Sequence, residues 1–333
     1  MSEFAKPFKK QIIEMIKRTW HTQYVDFVNG FEYRKFTYPT CPQVDGIGNK
    51  PVYYFALGDF ESGVLDALAM GLNDLGMYGA TPFMAMDHLM LPKDPYPYAH
   101  EGIIGNIINC LVENCIRREI ALECGETALH TNLTGFELSI SMLGFAKEPR
   151  INRFQVGDAL IGIRSAGIHS NGFSEFGKLF GESFWMQDDA PPELINALGP
   201  TPVYLDGMLR VRDKYRVNGT QHVSGEAYLK LLDILPPNAD AFITRNFMLA
   251  TQRIFQLIYE EMKRFYDDAD QAIYSVFNCG IGMIFSTAKP IAHRAADMFS
   301  DLTGIPAVVI GEIREGTGRV MIESRFSDRT IIL

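Results

Sequence analysis

The sequence lacks any apolar run approaching the ~18 residues of a membrane-spanning helix. Its early lysines, Lys6, Lys9 and Lys10, lead into Glu14, Lys17 and Arg18 rather than into the apolar stretch of a secretory leader. Cysteine is scarce: the five residues Cys41, Cys110, Cys115, Cys124 and Cys279 are odd in number and form no C-x-x-C pair. A disulfide framework is excluded, reduced thiols in a cytoplasmic protein are expected, and Cys110 and Cys115 have no neighbouring histidine to complete a zinc site. Basic charge is outnumbered, with 31 Lys and Arg against 40 Asp and Glu, a formal net charge of -9. The chain therefore has no electrostatic footprint for nucleic acid. Short repeats, low-complexity tracts and a Walker A motif are also absent.

What remains is an ordinary globular composition, 47% hydrophobic and 21% charged over 333 residues, enough for two domains. Helical periodicity is expected over Gln11–Trp20, Gly63–Tyr78, Gly102–Arg118 and Thr251–Phe265, and from Phe173 onward. Strands are expected at Phe83–Met90, Leu138–Ala146, Asp158–Ile163, Ile281–Ser286, Ala307–Ile313 and Val320–Glu323. Pro39, Pro42, Gly46 and Gly48 make 33–50 read as a loop. The interleaved elements give an α/β (α+β) class. The polar stretch Lys147–Val156 places the boundary between a domain over 1–150 and one over 151–333.

Five segments could carry chemistry. Val44–Lys50 (VDGIGNK) sets Asp45 and Lys50 around glycines. It is either a phosphate loop whose lysine faces phosphate and whose aspartate holds Mg²⁺, or an ordinary turn. In Leu65–Asp74, helical spacing puts Asp66 and Asn73 on one face with Asp74 beside it; they are cation ligands or the exposed stripe of an amphipathic helix. Glu123-Cys-Gly-Glu-Thr127 sits where a strand would end, offering Glu126 to a metal or phosphate crevice, or merely a polar loop. Ser165–Gly172 (SAGIHSNG), between a strand and a helix, supplies His169, Ser170, Asn171 and Gly172 to an anion or to a simple connection. Gln221–Glu226 (QHVSGE) offers His222 as acid, base or donor, with Ser224 and Gly225 beside it.

In this order, and together with LGPTPVY and FNCGIGM, these segments resemble the aminoimidazole ribonucleotide synthase family. That family includes the cyclo-ligases of purine synthesis and is related to formylglycinamidine ribonucleotide synthase, selenophosphate synthetase and thiamine-monophosphate kinase. The resemblance implies an N-terminal half-barrel domain that dimerises, a C-terminal α/β domain, and ATP with Mg²⁺. It implies an ATP and metal site of Asp45, Asp74 and Glu126 with Asp66 beside them, and Lys17 closing over the nucleotide. Lys50, Asn171 and His222 are implied as catalytic, and the 169–172 and 224–225 loops as substrate-binding. The expected partners are a nucleotide substrate and a second copy of the chain, with the homodimer formed through Phe83–Met90 and Leu138–Ala146.

Two departures stand out. Where the family shows G-G-E-T-A-E-M-P, this chain has Cys124 and Leu129 and lacks the proline. Where the family shows H-[IL]-T-G-G-G, it has His222-Val-Ser-Gly-Glu-Ala227. A carboxylate at 226 would oppose a phosphate at this loop, so Glu226 is expected to turn away or to be neutralised by Arg210, Arg212 or Lys230, the last through an outward i,i+4 pair. The altered loop leaves open a related ATP-dependent enzyme with another acceptor, or a non-catalytic nucleotide-binding paralogue.

Overall fold

The computed structural model describes residues 9–93, 100–181 and 191–333. The chain divides into two compact units, Met1–Leu75 with Ala80–Glu148, and Gly76–Gly79 with Pro149–Leu333. Among the described residues no helix is long and apolar enough to cross a membrane.

The first unit runs α1 (Lys9–Lys17), β1 (Val25–Val28), β2 (Phe31–Arg34), β3 (Thr40–Gly46), α2 (Pro51–Leu57), α3 (Phe60–Met77), β4 (Thr81–Pro92), α4 (His100–Arg117), β5 (Ala121–His130) and β6 (Glu137–Phe145). Four strands form a sheet in the order β3-β6-β4-β5, with β4 and β5 parallel and the other pairs antiparallel. The stretch expected as a loop thus contains a strand. Pro42 is compatible with β3 because β3 is an edge, where a missing N–H breaks no ladder. The expected strand end at 123–127 is also corrected, since β5 continues through those residues to His130.

Helix α3 is apolar on nearly every side, and Val64, Leu68, Leu72 and Leu75 are all buried. A helix with such a surface belongs in a core rather than at a surface. It sits so close to the sheet that a Cβ on Gly71 would lie 3.0 Å from the Met142 sulfur. The exposed-stripe reading of Asp66 and Asn73 is therefore overturned: both are fully buried. At one end of the sheet, Phe36 stacks on Phe145 at 4.4 Å and meets Phe83 edge-on.

The second unit contains β7 (Asp158–Arg164), α5 (Phe173–Phe180), α6 (Pro192–Asn196), α7 (Leu205–Lys214), β8 (Thr220–His222), a 3₁₀ helix (Ala227–Ile234), β9 (Ala239–Ile243), α8 (Arg253–Phe265), α9 (Ala269–Val276), β10 (Ile281–Ala288), α10 (Lys289–Thr303), β11 (Ala307–Glu315), β12 (Val320–Glu323) and β13 (Thr330–Ile332). Its sheet runs β13-β12-β9-β11-β7-β10-β8. Ile161 and Ile163 of β7 and Met283 and Phe285 of β10 pack with Met208 and Val211 of α7 and with Ala292, Ala295, Ala296 and Phe299 of α10. The alanine stripe brings α10 close to the sheet, and Phe299 fills the remaining space.

Candidate functional site

In the second unit four sequence segments assemble into one network. His169 follows β7 in a left-handed conformation (φ 61°) and is buried. Its Nε2 accepts a hydrogen bond from the Ala166 amide at 3.1 Å and lies 3.4 Å from the Tyr204 hydroxyl. Tyr204, from LGPTPVY, donates to the Arg164 carbonyl and presents its ring to His222 at 6.5 Å. Asn171 Nδ2 donates to the Val223 carbonyl at 3.3 Å, so the 169–172 loop is tied to the 222–226 loop. Ser170 Oγ is buried with no hydrogen-bond partner among the described residues.

The FNCGIGM segment fastens both loops. Asn278 Nδ2 donates to the Gly167 carbonyl at 2.9 Å, the Val223 amide donates to the Gly282 carbonyl at 2.9 Å, and the Tyr228 hydroxyl donates to the Asn278 carbonyl. A Cβ on Gly282 would lie 2.1 Å from the Tyr204 hydroxyl and 2.5 Å from His169 Cε1. Only glycine at 282 lets the tyrosine and histidine meet. Tyr204 and Asn278 carry much of this arrangement. The resemblance quoted their segments without giving either residue a role, and what would have marked them is a polar group inside an otherwise apolar motif.

The loop at 224–227 corrects one expectation. Lys230 Nζ donates to Ser224 Oγ at 2.7 Å instead of pairing with Glu226, because a 3₁₀ helix of three residues per turn does not stack i on i+4. Lys230 thereby brings a cation to Ser224 and Gly225. Glu226 and Ala227 both hold positive φ, 64° and 46°. The backbone keeps the left-handed path suited to glycine although both glycines are gone. A non-glycine residue there costs roughly 1–2 kcal/mol, so Glu226→Gly is expected to stabilise the protein by about 1 kcal/mol, read as a higher urea midpoint. A lower midpoint would show that the Glu226 side chain makes a contact outweighing its backbone strain.

In the first unit the expected site residues fall into separate settings. Lys50 caps the start of α2, and its ammonium lies 2.7 Å from Asp66 Oδ2, with both side chains at 0% exposure. The Tyr54 hydroxyl donates to the same carboxylate oxygen at 2.6 Å. Burial pulls the Lys50 pKa down, against the pull of Asp66. The lysine expected to face phosphate is thus committed to a buried ion pair. Lys17, expected over the nucleotide, pairs with Glu14 at 2.6 Å on an exposed helix surface. Asn73, on α3, is fully buried, and Asp74 beside it is half-buried.

Strand register separates the acids. Asp45 opposes Ile140, which opposes Asp87, which opposes Gly125, so these residues form one row across the sheet. Asp45 Oδ1 accepts from the Gly46 amide at 2.7 Å. Glu126 lies in the next row, beside His88, and therefore alternates to the other face. Among the described residues no three His, Cys, Asp or Glu side chains gather closely enough to hold a metal ion.

Asp87 is the acid that sequence reading missed. It is 6% exposed, and its Oδ1 has no hydrogen-bond partner among the described residues. Burial pushes its carboxyl up to about 7; its own backbone amide opposes this, and the charge of Glu126 adds to it. The carboxyl leans over Gly125, where a Cβ would lie 2.1 Å from Oδ1. The glycine of ECGET therefore makes room for an aspartate on the adjacent strand. A lone acid among alternating Met and Leu gave no such signal.

A family model described as AIR synthase related protein, N-terminal domain, matches residues 39–146, and one described as the C-terminal domain of the same family matches residues 155–323. The phosphoribosylformylglycinamidine cyclo-ligase of Thermoanaerobacter pseudethanolicus is 29% identical over 336 residues, covering 94% of this chain and 96% of that protein. Its counterpart in Geobacillus kaustophilus is 28% identical over 287 residues, covering 82% and 80%. Among solved structures, thiamine-monophosphate kinase from Stenotrophomonas maltophilia superposes with a TM-score of 0.67 at 19% identity, covering 98% of each chain. Hydrogenase maturation protein HypE in complex with ATP superposes with a TM-score of 0.68 at 12% identity, covering 100% of this chain and 95% of that one. At such identities the structural likeness shows the two-domain fold.

Proposed function

Because the chain belongs to the AIR synthase related protein family through both its N-terminal and C-terminal parts, we propose that it is an ATP-dependent cyclo-ligase that closes formylglycinamidine ribonucleotide to aminoimidazole ribonucleotide. The observation that carries this reading is the knitting of the 169–172, 222–226 and 278–282 loops around His169, Asn171 and His222, in a chain whose relatives are named for that activity. In the reaction, ATP transfers its terminal phosphoryl group to the formyl amide oxygen. An internal nitrogen then attacks the activated carbon, the ring closes, and phosphate leaves. Such transfer depends on positioning and charge neutralisation.

On this reading Ser224, Gly225 and Lys230 receive the substrate phosphate. Asn171 and His222 orient the reacting amide, and Asp45 and Asp74 face Mg²⁺–ATP without Glu126, which register places on the other face of the sheet, while Asp66 and Lys50 buttress α3 and α2. The buried, unpartnered Asp87 Oδ1 fits a cation or donor arriving with the nucleotide. Mg²⁺ supplies charge neutralisation at the phosphates and needs only one or two protein carboxylates when phosphates and water complete its shell. The first unit need not hold a three-carboxylate cage.

The deciding experiment is ADP release by the purified protein. It is expected only when formylglycinamidine ribonucleotide is present. Turnover with a different acceptor would instead support the related-enzyme reading, which Glu226 and Cys124 favour, and no turnover at all would support a non-catalytic paralogue.

A homodimer belongs to the same proposal, with a changed surface. Phe83–Met90 and Leu138–Ala146 lie on β4 and β6, the interior strands, whose edges are already paired. The open edges of this sheet are β3 and β5, and Val44 on β3 is 70% exposed. Unpaired edges invite a second sheet. Sedimentation at twice the chain mass in the micromolar range is expected, and a Val44→Lys variant should shift it towards monomer. A monomeric mass for the unmodified chain would refute the dimer.

A further inference from the structure

The second unit carries a cleft of about 460 Å³ whose lining includes Arg245, Thr251, Arg325, Ser327 and Asp328. Arg325 and its neighbours follow residues 155–323, the part of the chain matched by the family's C-terminal domain, and none of these side chains has a place in the proposed reaction. The Arg325 guanidinium is half-buried and stacks on the Phe247 ring at 4.1 Å from its centroid. Among the described residues it has no carboxylate within ion-pair distance.

The acids around it are already engaged. Glu323 accepts from the Thr244 hydroxyl at 2.9 Å and from the Arg245 amide at 3.0 Å. Asp270 accepts from Tyr259, Ser324 and Ser327. Asp268 holds the Arg329 guanidinium through two bonds. Asp328 meets Arg245 Nη1 at 2.9 Å, but its side chain stands fully in solvent. Burial lowers the Arg325 pKa, opposed by the neighbouring Tyr274 and Tyr228. A partly desolvated guanidinium with no acid beside it gains from an anion. Thr251, on the wall of the same cleft, lies two residues ahead of α8, whose first turn contains no acid.

We propose that the cleft between Arg245 and Arg325 is an anion site that takes the phosphate group of a small molecule. Arg325 supplies the unneutralised charge, Arg245 the second guanidinium, and Thr251 and Ser327 hydroxyl donors. Asp328 acts as an exposed competitor for Arg245, displaced or solvated when the ligand enters.

The test is titration calorimetry on the full-length protein with inorganic phosphate and with AMP, at saturating non-hydrolysable Mg²⁺–ATP analogue, which fills the nucleotide surface, and saturating formylglycinamidine ribonucleotide, which fills the substrate-phosphate loop. Binding of either probe is expected to weaken about tenfold or more in Arg325→Gln and to tighten several-fold in Asp328→Asn. ADP release should stay unchanged in both variants. Tighter binding of AMP than of phosphate identifies an esterified ligand as the occupant. Asp328→Asn alters only an exposed side chain, so it tests the site even if Arg325→Gln folds poorly. Unchanged affinity in Asp328→Asn, or in a folded Arg325→Gln, would overturn the proposal, as would the absence of binding by both probes. Citrate binding as tightly as phosphate would overturn the assignment to phosphate.

Discussion

Asp66→Asn is expected to destabilise the protein by roughly 3–5 kcal/mol, the cost of breaking a buried ion pair by removing one partner. The amide keeps the shape of the carboxylate but withdraws the charge that holds the Lys50 ammonium at 2.7 Å with no accessible surface on either side chain. The Tyr54 hydroxyl would lose a charged acceptor at the same time. Lys50→Met should be costly for the converse reason, since it leaves Asp66 charged within the core. The double variant Lys50→Met with Asp66→Asn should recover a good part of the loss, because it removes both charges together. Urea midpoints of the three variants measure this. An Asp66→Asn midpoint within about 1 kcal/mol of the parent would show that the pair is not the buried structure described here. Lys50→Met separates the two roles considered for that lysine. A phosphate contact predicts a large change in the KM for ATP with unchanged stability, and the buried pair predicts the opposite.

Asp87→Asn is expected to stabilise the protein, and by more as the pH rises. The folded carboxyl is raised to about 7, against an unfolded value near ~3.9. A raised acid holds its proton in the folded state while the unfolded chain has lost it. Its favourable contribution is therefore complete below pH ~4 and disappears as the pH climbs towards 7. The total loss is roughly 4 kcal/mol by linkage. Asparagine has no proton to lose, so the stability gap between Asp87→Asn and the parent should widen by about 3 kcal/mol between pH 5 and pH 8. Comparing the two proteins cancels the slopes from all other carboxylates. The measurement is urea unfolding in Mg²⁺-free buffer at the two pH values. A gap that does not change with pH would mean that Asp87 is ionised in the folded protein and has found a donor.

Much of the fold was legible because periodicity reports burial directly. The apolar face of α8 and the continuous run of β7 needed no tertiary information. β3 was read as a loop because Pro42, Gly46 and Gly48 punctuate it, and punctuation does not distinguish an edge strand from a turn. The acids of α3 were legible as one face, yet spacing alone could not say whether that face met solvent or the core. Asp87 was invisible for a related reason. In a strand, a polar residue between apolar ones normally points to water, and only strand register reveals that this one leans over Gly125. The 222–227 loop was recognised by its pattern, but its consecutive left-handed residues are a property of backbone angles, which Glu and Ala in the sequence argue against.

The hold of Asn278 and Gly282 on the loops around them has a consequence for motion. The carbonyl of Gly167 and the amide of Val223 are both bonded to one short segment, and Asn171 in turn holds the carbonyl of Val223. No one of these loops can open without releasing a bond that also restrains another. Their amides should exchange with solvent as a single cooperative unit rather than loop by loop. Access to His169 and His222 would then be governed by one opening event, and every substrate, product or inhibitor that needs those side chains would meet the same gate.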